Sequence, residues 1–323
     1  MAAPPGGAAP GRPMREESAE RHPPPPAPRD IREGLIARGL AAPGDSWEPL
    51  SGGHSNRIWK VGKGPSALIC KLYAPHVHSE LFPNDSRAEW AALTGLRGQG
   101  LAPEPLALVE TGSGPCLVYR HIPGTPWRTG PDRVARLLAR LHRLPPPQGL
   151  RRAAAGEAAL AAQTERMLDT LPPAEAARLH ALRPPPAPAA EGEPVPEVFL
   201  HGDVVPANII CTRRGIALID WQCPALGDPC EDLSTFLSPA MQALYGRKPL
   251  TPAEEEAFLA AYAAPGVTVR LRRLRPWYHW RMAAYCLWRA GRGGTGHAAV
   301  AGLEVAALER ALSAPAPLSR AGA

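Results

Sequence analysis

The segment Leu200–Trp221, LHGDVVPANIICTRRGIALIDW, constrains this chain more than any other part of it. A short β run, Val198–Leu200, leads into His201-Gly202-Asp203, and Asn208 follows five residues after the Asp. Ile209–Cys211 and Ile216–Ile219 read as two strands joined by the turn Thr-Arg-Arg-Gly. A second acid, Asp220, then stands at the end of an apolar strand, seventeen residues after the first. Because a hairpin brings its two ends together, Asp203, Asn208 and Asp220 are expected to converge. The amide oxygen of Asn208 and the carboxylate of Asp220 suit Mg2+, a hard cation that takes oxygen ligands and keeps waters. Asp203 is left to orient and deprotonate an attacking hydroxyl. The plain alternative, Asp and Asn as turn caps, fits a lone Asp-x4-Asn better than it fits this whole pattern.

That segment resembles the catalytic loop and metal-binding strand of the aminoglycoside phosphotransferase and choline kinase superfamily, small-molecule kinases related in fold to protein kinases. The continuation 227–237, GDPCEDLSTFL, resembles the same family. The resemblance implies a two-lobed, protein-kinase-like α+β fold, with a small antiparallel β lobe carrying one helix and a larger, mainly helical lobe. It implies ATP and Mg2+ as cofactors, Asp203 as the catalytic residue, and Asn208 and Asp220 as metal ligands. Asp228 is expected to tie the catalytic loop to the helix that follows, with Asp232 sharing that task or capping the helix.

Other parts of such a site can be sought in turn. Only four of the 36 basic residues are Lys, so Lys71 on the apolar strand ALICKLY is notable. It supplies a compact point charge instead of a fork, and it lies where the family's phosphate-binding lysine would lie. Glu89, in the helical stretch SRAEWAAL, matches the acid that would pair with it. The stretch 50–61, LSGGHSNRIWKV, resembles a nucleotide-covering loop. Its Gly52 and Gly53 would let backbone N–H groups approach phosphate, and Ser51 or Ser55 could add hydroxyls. It is not a Walker A sequence, since no Gly-Lys-Ser/Thr follows. The stretch 116–124, CLVYRHIPG, resembles the strand entering an interlobe hinge. There the backbone of Arg120 and Ile122 would hold adenine, with Tyr119 at the back of the pocket.

Residues 1–29 carry nine prolines and read as a disordered tail. Residues 30–122 read as the nucleotide-binding lobe and 123–323 as the catalytic and acceptor-binding lobe. In the first, a helix is expected from Asp30 as N-cap, with strands at Leu50–Gly53, Asn56–Val61, Ala67–Leu72, Pro105–Glu110 and Cys116–His121, and a helix at Ser86–Leu96. In the second, helices are expected from Pro131 and over 252–263, 276–291 and 297–312. With 45% hydrophobic and 20% charged residues the chain is globular. No apolar run approaches the ~20 residues of a membrane span. Six scattered cysteines without a Cys-x2-Cys pair argue against a zinc site or a disulfide scaffold, and for a cytoplasmic setting.

The net charge of +6 reflects a bias toward Arg more than a nucleic-acid footprint. The resemblance implies ATP and a small acceptor as partners, and neither a membrane nor a nucleic acid is expected. Arginines at 270, 272, 273, 275, 281, 289 and 292 read as a helix face before they read as an anion site. For the acceptor, Trp277, Tyr278, Trp280, Tyr285 and Trp288 suggest either core packing or a cage for a quaternary ammonium. A choline- or ethanolamine-like alcohol is thus favoured over an aminoglycoside or thiamine. An aminoglycoside pocket would be rich in acids, and Glu254–Glu256 read as a helix start. A nucleotide-binding pseudokinase is the remaining alternative, against which intact Lys71, Asp203, Asn208 and Asp220 stand.

Overall fold

The computed structural model describes residues 26–50, 56–74, 79–186 and 197–313. In the first part, α1 (Arg29–Ala37) precedes β1 (Trp47–Leu50), β2 (Asn56–Val61) and β3 (Leu68–Tyr73); α2 (Ser86–Gly95), β4 (Pro105–Thr111) and β5 (Gly114–Arg120) follow. The strands form an antiparallel sheet in the order β1-β2-β3-β5-β4.

Side chains alternate across a strand, and β3 has both faces covered. Leu68, Cys70 and Leu72 face a cluster with Ile31 and Leu35 of α1, Trp59, Val61, Cys116 and Val118. Ile69 and Tyr73 face the opposite way, into the main core with Leu117 and Tyr119. Lys71 is in phase with Ile69 and Tyr73. It therefore enters the α2 side of the sheet, which explains a lysine inside an otherwise apolar strand.

Asp30 does not cap α1. The helix starts one residue earlier, after Pro28, without a side-chain cap. The Asp30 carboxylate instead accepts from the Ser113 N–H at 2.8 Å and the Ser113 hydroxyl at 2.9 Å, in the turn between β4 and β5. A tertiary partner outcompetes the local one and clamps α1 to the sheet. Ala27 is also buried, so ordered packing begins before Asp30. The rest of the proline-rich tail, residues 1–25, lies outside the described residues, as does 51–55.

The second part begins with β6 (Thr125–Pro126), α3 (Pro131–Leu141), β7 (Arg151–Arg152), α4 (Gly156–Leu168) and α5 (Pro173–His180). Then come β8 (Val198–Leu200), the hairpin of β9 (Ile209–Thr212) and β10 (Gly215–Leu218), and β11 (Ala225–Gly227). The helices α6 (Cys230–Leu237), α7 (Pro239–Leu244), α8 (Pro252–Tyr262), α9 (Pro265–Ala290) and α10 (His297–Ser313) complete it. The observed architecture is the α+β arrangement expected: a small antiparallel sheet lobe and a larger, mainly helical one.

The helix expected to open at Pro276 opens eleven residues earlier, and Pro276 lies inside it. A proline there removes one intrahelical hydrogen bond. Burial of Leu271, Leu274, Trp277 and Trp280 on either side of Pro276 outweighs that loss.

Ile31 and Leu35 are fully buried and far in sequence from any candidate site residue. Replacing Leu35 by Ala is expected to destabilise the protein by about 2–5 kcal/mol in urea denaturation. A loss below about 0.5 kcal/mol would show that α1 is not part of the cooperative fold.

Candidate active site

The strand β8 delivers His201-Gly202-Asp203 into a loop whose middle position favours glycine. Gly202 has φ +83°, and a Cβ there would overlap the Cys223 carbonyl. The buried His201 ring donates from Nε2 to the Ile219 carbonyl at 3.0 Å, while its Nδ1 accepts the Asp203 N–H at 3.2 Å. Burial pulls its pKa down, so the ring is held neutral and acts as a brace. Trp221 packs edge-on against it, with ring centroids 4.5 Å apart.

Asp232 anchors this loop. Its carboxylate accepts the His201 N–H at 2.9 Å and the Gly202 N–H at 2.8 Å, and it meets His142 Nε2 at 3.1 Å. Burial alone would raise its pKa, but the bonds from His142 and His201 hold it below the ordinary carboxylate range. The task expected chiefly of Asp228 thus falls to Asp232. Asp228 lies just before α6, where it pairs with Arg270 at 2.6 Å and accepts the Cys230 N–H at 2.9 Å. Asp232, one turn further along, faces the loop.

Lys71 is fully buried between two carboxylates. Its Nζ lies 2.6 Å from Glu89 Oε2 and 2.5 Å from Asp220 Oδ1. Burial would depress the ammonium, but Asp220 and Glu89 hold its pKa well above the ordinary value, so it stays charged. Tyr73 donates its hydroxyl to the same Glu89 oxygen, and burial raises the Glu89 pKa against the pull of Lys71. Asp220 has φ +61°, a left-handed conformation that Asp tolerates better than most residues.

Asn208 donates its Nδ2 to the Asp203 carbonyl at 3.0 Å and to Asp203 Oδ2 at 3.1 Å. Its amide oxygen has no donor among the described residues. Asp203 is pushed up to about 8, by burial first and by the charge of Asp220 second. The cluster therefore carries more negative charge than Lys71 balances. An amide oxygen, a carboxylate and surplus negative potential fit a divalent cation that takes few protein ligands and shares phosphate oxygens, as Mg2+ does. No group of three or more His, Cys, Asp or Glu that could hold a metal ion occurs among the described residues.

Lys71, Asp203, Asn208 and Asp220 line one cavity, whose walls and mouth enclose about 710 Å³. Glu89 lies behind Lys71. Asn56 and Gln222, which the sequence reading missed, line the same cavity and hydrogen-bond to each other at 3.0 Å across 166 residues. Beyond Asp203 the wall is Phe82, Met241, Leu244, Tyr245, Tyr285 and His297, together with Arg289. Only Tyr285 and Arg289 of these stood among the residues singled out by pattern. Ser51, Gly52, Gly53 and Ser55 lie outside the described residues. Arg120 and Ile122 do not line this cavity. The Arg120 N–H is committed to the Glu104 carbonyl at 2.9 Å, and its side chain pairs outward with Glu104, because β5 is covered by β4 on that side.

Of the five aromatics weighed for a cage, Tyr285 lines the cavity, whereas Trp277, Tyr278, Trp280 and Trp288 do not. Trp277 and Trp280 are buried in the core against each other, and the Trp280 indole donates to the Leu179 carbonyl at 2.7 Å. Trp288 stacks on Tyr285 and already carries the Arg292 guanidinium, 4.3 Å from its ring centre. The arginine run is largely internal: Arg270 pairs with Asp228, Arg272 with Glu256, Arg275 with Glu255 and Arg281 with Glu231. Glu254 serves as the capping-box acid of α8, as its place at a helix start suggested.

The comparisons with known proteins agree with this fold. The sequence model of the phosphotransferase enzyme family (APH) matches residues 46–277. No curated protein sequence matches the chain. Among solved structures, a choline/ethanolamine kinase family protein from Mesorhizobium loti is 18% identical, with TM-score 0.61, over 88% of this chain and 96% of that one. The choline kinase LicA from Streptococcus pneumoniae is 18% identical, with TM-score 0.62, over 87% and 98%. The aminoglycoside phosphotransferase APH(4)-Ia is 15% identical, with TM-score 0.62, over 88% and 99%. At these identities the likeness is one of fold.

Two outcomes follow from the electrostatics. An unfolded Asp203 has an ordinary pKa of about 4, so the folded state holds its proton more tightly. That stabilisation is complete below about pH 4 and is lost as pH rises through about 8. Asp203→Asn, which cannot ionise, is expected to gain melting temperature over wild type progressively from about pH 5 to pH 8.5, in nucleotide- and metal-free protein. A difference independent of pH would contradict the assignment. Asp232→Ala leaves two buried N–H groups and His142 without their acceptor, and is expected to destabilise by about 3–5 kcal/mol in denaturant titration.

Proposed function

The chain belongs to the phosphotransferase enzyme family, and we propose that it moves the γ-phosphoryl group of ATP to a hydroxyl of a small molecule. The observation that carries this reading is the convergence of Lys71, Asp203, Asn208 and Asp220 on one cavity, with Glu89 fixing Lys71 from behind. Phosphoryl transfer asks mainly for positioning and for neutralisation of developing charge. Lys71 supplies a fixed cation for the phosphates. Asn208 and Asp220 would hold Mg2+, which supplies charge neutralisation on phosphate oxygens when bound.

Asp203 stands on the cavity wall with Asn208 donating to one of its oxygens, and so presents the other to an incoming hydroxyl. Its raised pKa lies near working pH, where a carboxylate accepts a proton most effectively. Ser51, Gly52, Gly53 and Ser55 remain the proposed phosphate cover. Among the described residues the Ile122 N–H makes no backbone hydrogen bond outside regular structure, which suits it to adenine better than the committed N–H of Arg120. Against an interaction module without catalysis stands the retention of Lys71, Asp203, Asn208 and Asp220 on one cavity.

The preference for a choline- or ethanolamine-like acceptor rested on an aromatic cage, and the burial of Trp277 and Trp280 removes that support. The acceptor reading is therefore a small hydroxylated molecule.

Asp203→Asn is expected to lower turnover roughly 10²–10⁴-fold while MgATP affinity stays nearly intact. Asp220→Asn keeps the left-handed backbone available to Asn and removes the charge. It is expected to abolish the Mg2+ dependence of ATP binding in calorimetry. Wild-type behaviour of both variants would rule out the phosphotransfer site.

A further inference from the structure

We infer that the acceptor carries an anionic group, a carboxylate or phosphate, recognised by Arg289 a short distance from the hydroxyl that Asp203 activates. This rests on the phosphotransfer reading above and names the acceptor class for it. Among the described residues the acids lining the cavity are Asp203 and Asp220, and both belong to the proposed transfer site. Beyond them the wall holds aromatic and apolar side chains, His297 and one guanidinium. The guanidinium on that wall attracts an anion and disfavours a second cation beside it.

Arg289 differs from its neighbours on α9. Arg270, Arg272, Arg275 and Arg281 are all ion-paired, whereas the Arg289 side chain makes no hydrogen bond or ion pair among the described residues. A cation in the last turn of a helix is favourable toward the helix dipole, and that alone would explain an arginine pointing into solvent. This one lines the cavity, and the turn after α9 holds its stem. Gly294 donates its N–H to the Arg289 carbonyl at 2.9 Å. A Cβ on Gly294 would lie 2.6 Å from Arg289 Cγ and 2.9 Å from His297 Nδ1, so the absence of a side chain there makes room for both.

Tyr285 links the two ends of the subsite. It precedes Arg289 by one helical turn and so shares its face. Its phenol is raised by burial and by the Asp203 carboxylate, and lowered by the Arg289 guanidinium, so both charges bear on the same ring. An acceptor reaching from Asp203 past Tyr285 to Arg289 is small: a hydroxyl, a short apolar or polar spacer, and an anion. A guanidinium fork reads carboxylate or phosphate oxygens in pairs, which a lysine does not.

The test uses the full chain with MgATP and follows ADP formation. The acceptors are glycerate and 4-hydroxybutyrate, their uncharged counterparts glycerol and 1,4-butanediol, the cationic alcohols choline and ethanolamine, and glycerol 3-phosphate as the phosphate source. Binding of the same probes to MgADP-loaded protein is read by saturation-transfer NMR, so that a bound but unreactive probe still reports. Anionic probes are expected to exceed their uncharged counterparts by at least about tenfold in kcat/KM or affinity. Arg289→Gln should erase that margin with a roughly ten- to hundredfold loss, and Arg289→Lys should fall between, with MgATP affinity unchanged in both. The ranking of carboxylate against phosphate probes distinguishes the two anion sources.

The inference is overturned if uncharged or cationic alcohols match the anionic ones, or if no anionic probe binds. It is equally overturned if Arg289→Gln leaves the ranking intact or weakens nucleotide as much as acceptor. Failure of wild type to bind MgATP, or an Asp220→Asn variant that titrates with Mg2+ as wild type does, faults the phosphotransfer reading instead.

Discussion

The buried ammonium of Lys71, held between Glu89 and Asp220, is the interaction on which the rest of this structure depends. A lone charge in so dry a place would cost several kcal/mol, and two carboxylates make it tenable. Each partner comes from a different element: Lys71 from β3, Glu89 from α2, and Asp220 from the end of the β9–β10 hairpin. The ion pair therefore specifies how the sheet meets the helical lobe. Asn56, Asn84 and Gln222 reinforce the same junction with hydrogen bonds of 2.8 and 3.0 Å.

The surplus negative charge of the cluster has a consequence for chemistry. With Asp220 ionised nearby, Asp203 is reluctant to lose its proton, and a bound cation would relieve that reluctance. The groups that hold the loop are of the opposite kind. Asp232, His142, Tyr262 and the neutral His201 form a buried, well-partnered network that fixes backbone rather than reacting. Asp203 in the loop and Asp232 on α6 thus differ in how fully their oxygens are satisfied.

Much of the candidate site was legible in the sequence because its parts are local or periodic. The spacing of Asp203, Asn208 and Asp220 lies within one strand–loop–hairpin, and Lys71 stands out by interrupting an apolar alternation. Features set by tertiary packing were not legible. Asp228 and Asp232 differ by one helical turn, and only the direction of α6 decides which faces the loop. Pro276 looks like a helix start until the burial of Trp277 and Trp280 is known. The same tryptophans look like a ligand cage until Leu179 accepts the Trp280 indole N–H. Arg289 could not be told from the other arginines of α9, because what distinguishes it is its place on the cavity wall. Gln222 and Asn56 could not be paired across 166 residues by any local pattern.

The most direct test is a crystal structure of the full chain with Mg2+ and a non-hydrolysable ATP analogue. The account predicts Lys71 within hydrogen-bonding distance of a phosphate oxygen and still paired with Glu89. It also predicts the cation coordinated by Asn208 and Asp220, and Asp203 facing the terminal phosphate. A nucleotide bound elsewhere, with Lys71 still bridging Glu89 and Asp220 and no cation on Asn208, would contradict it.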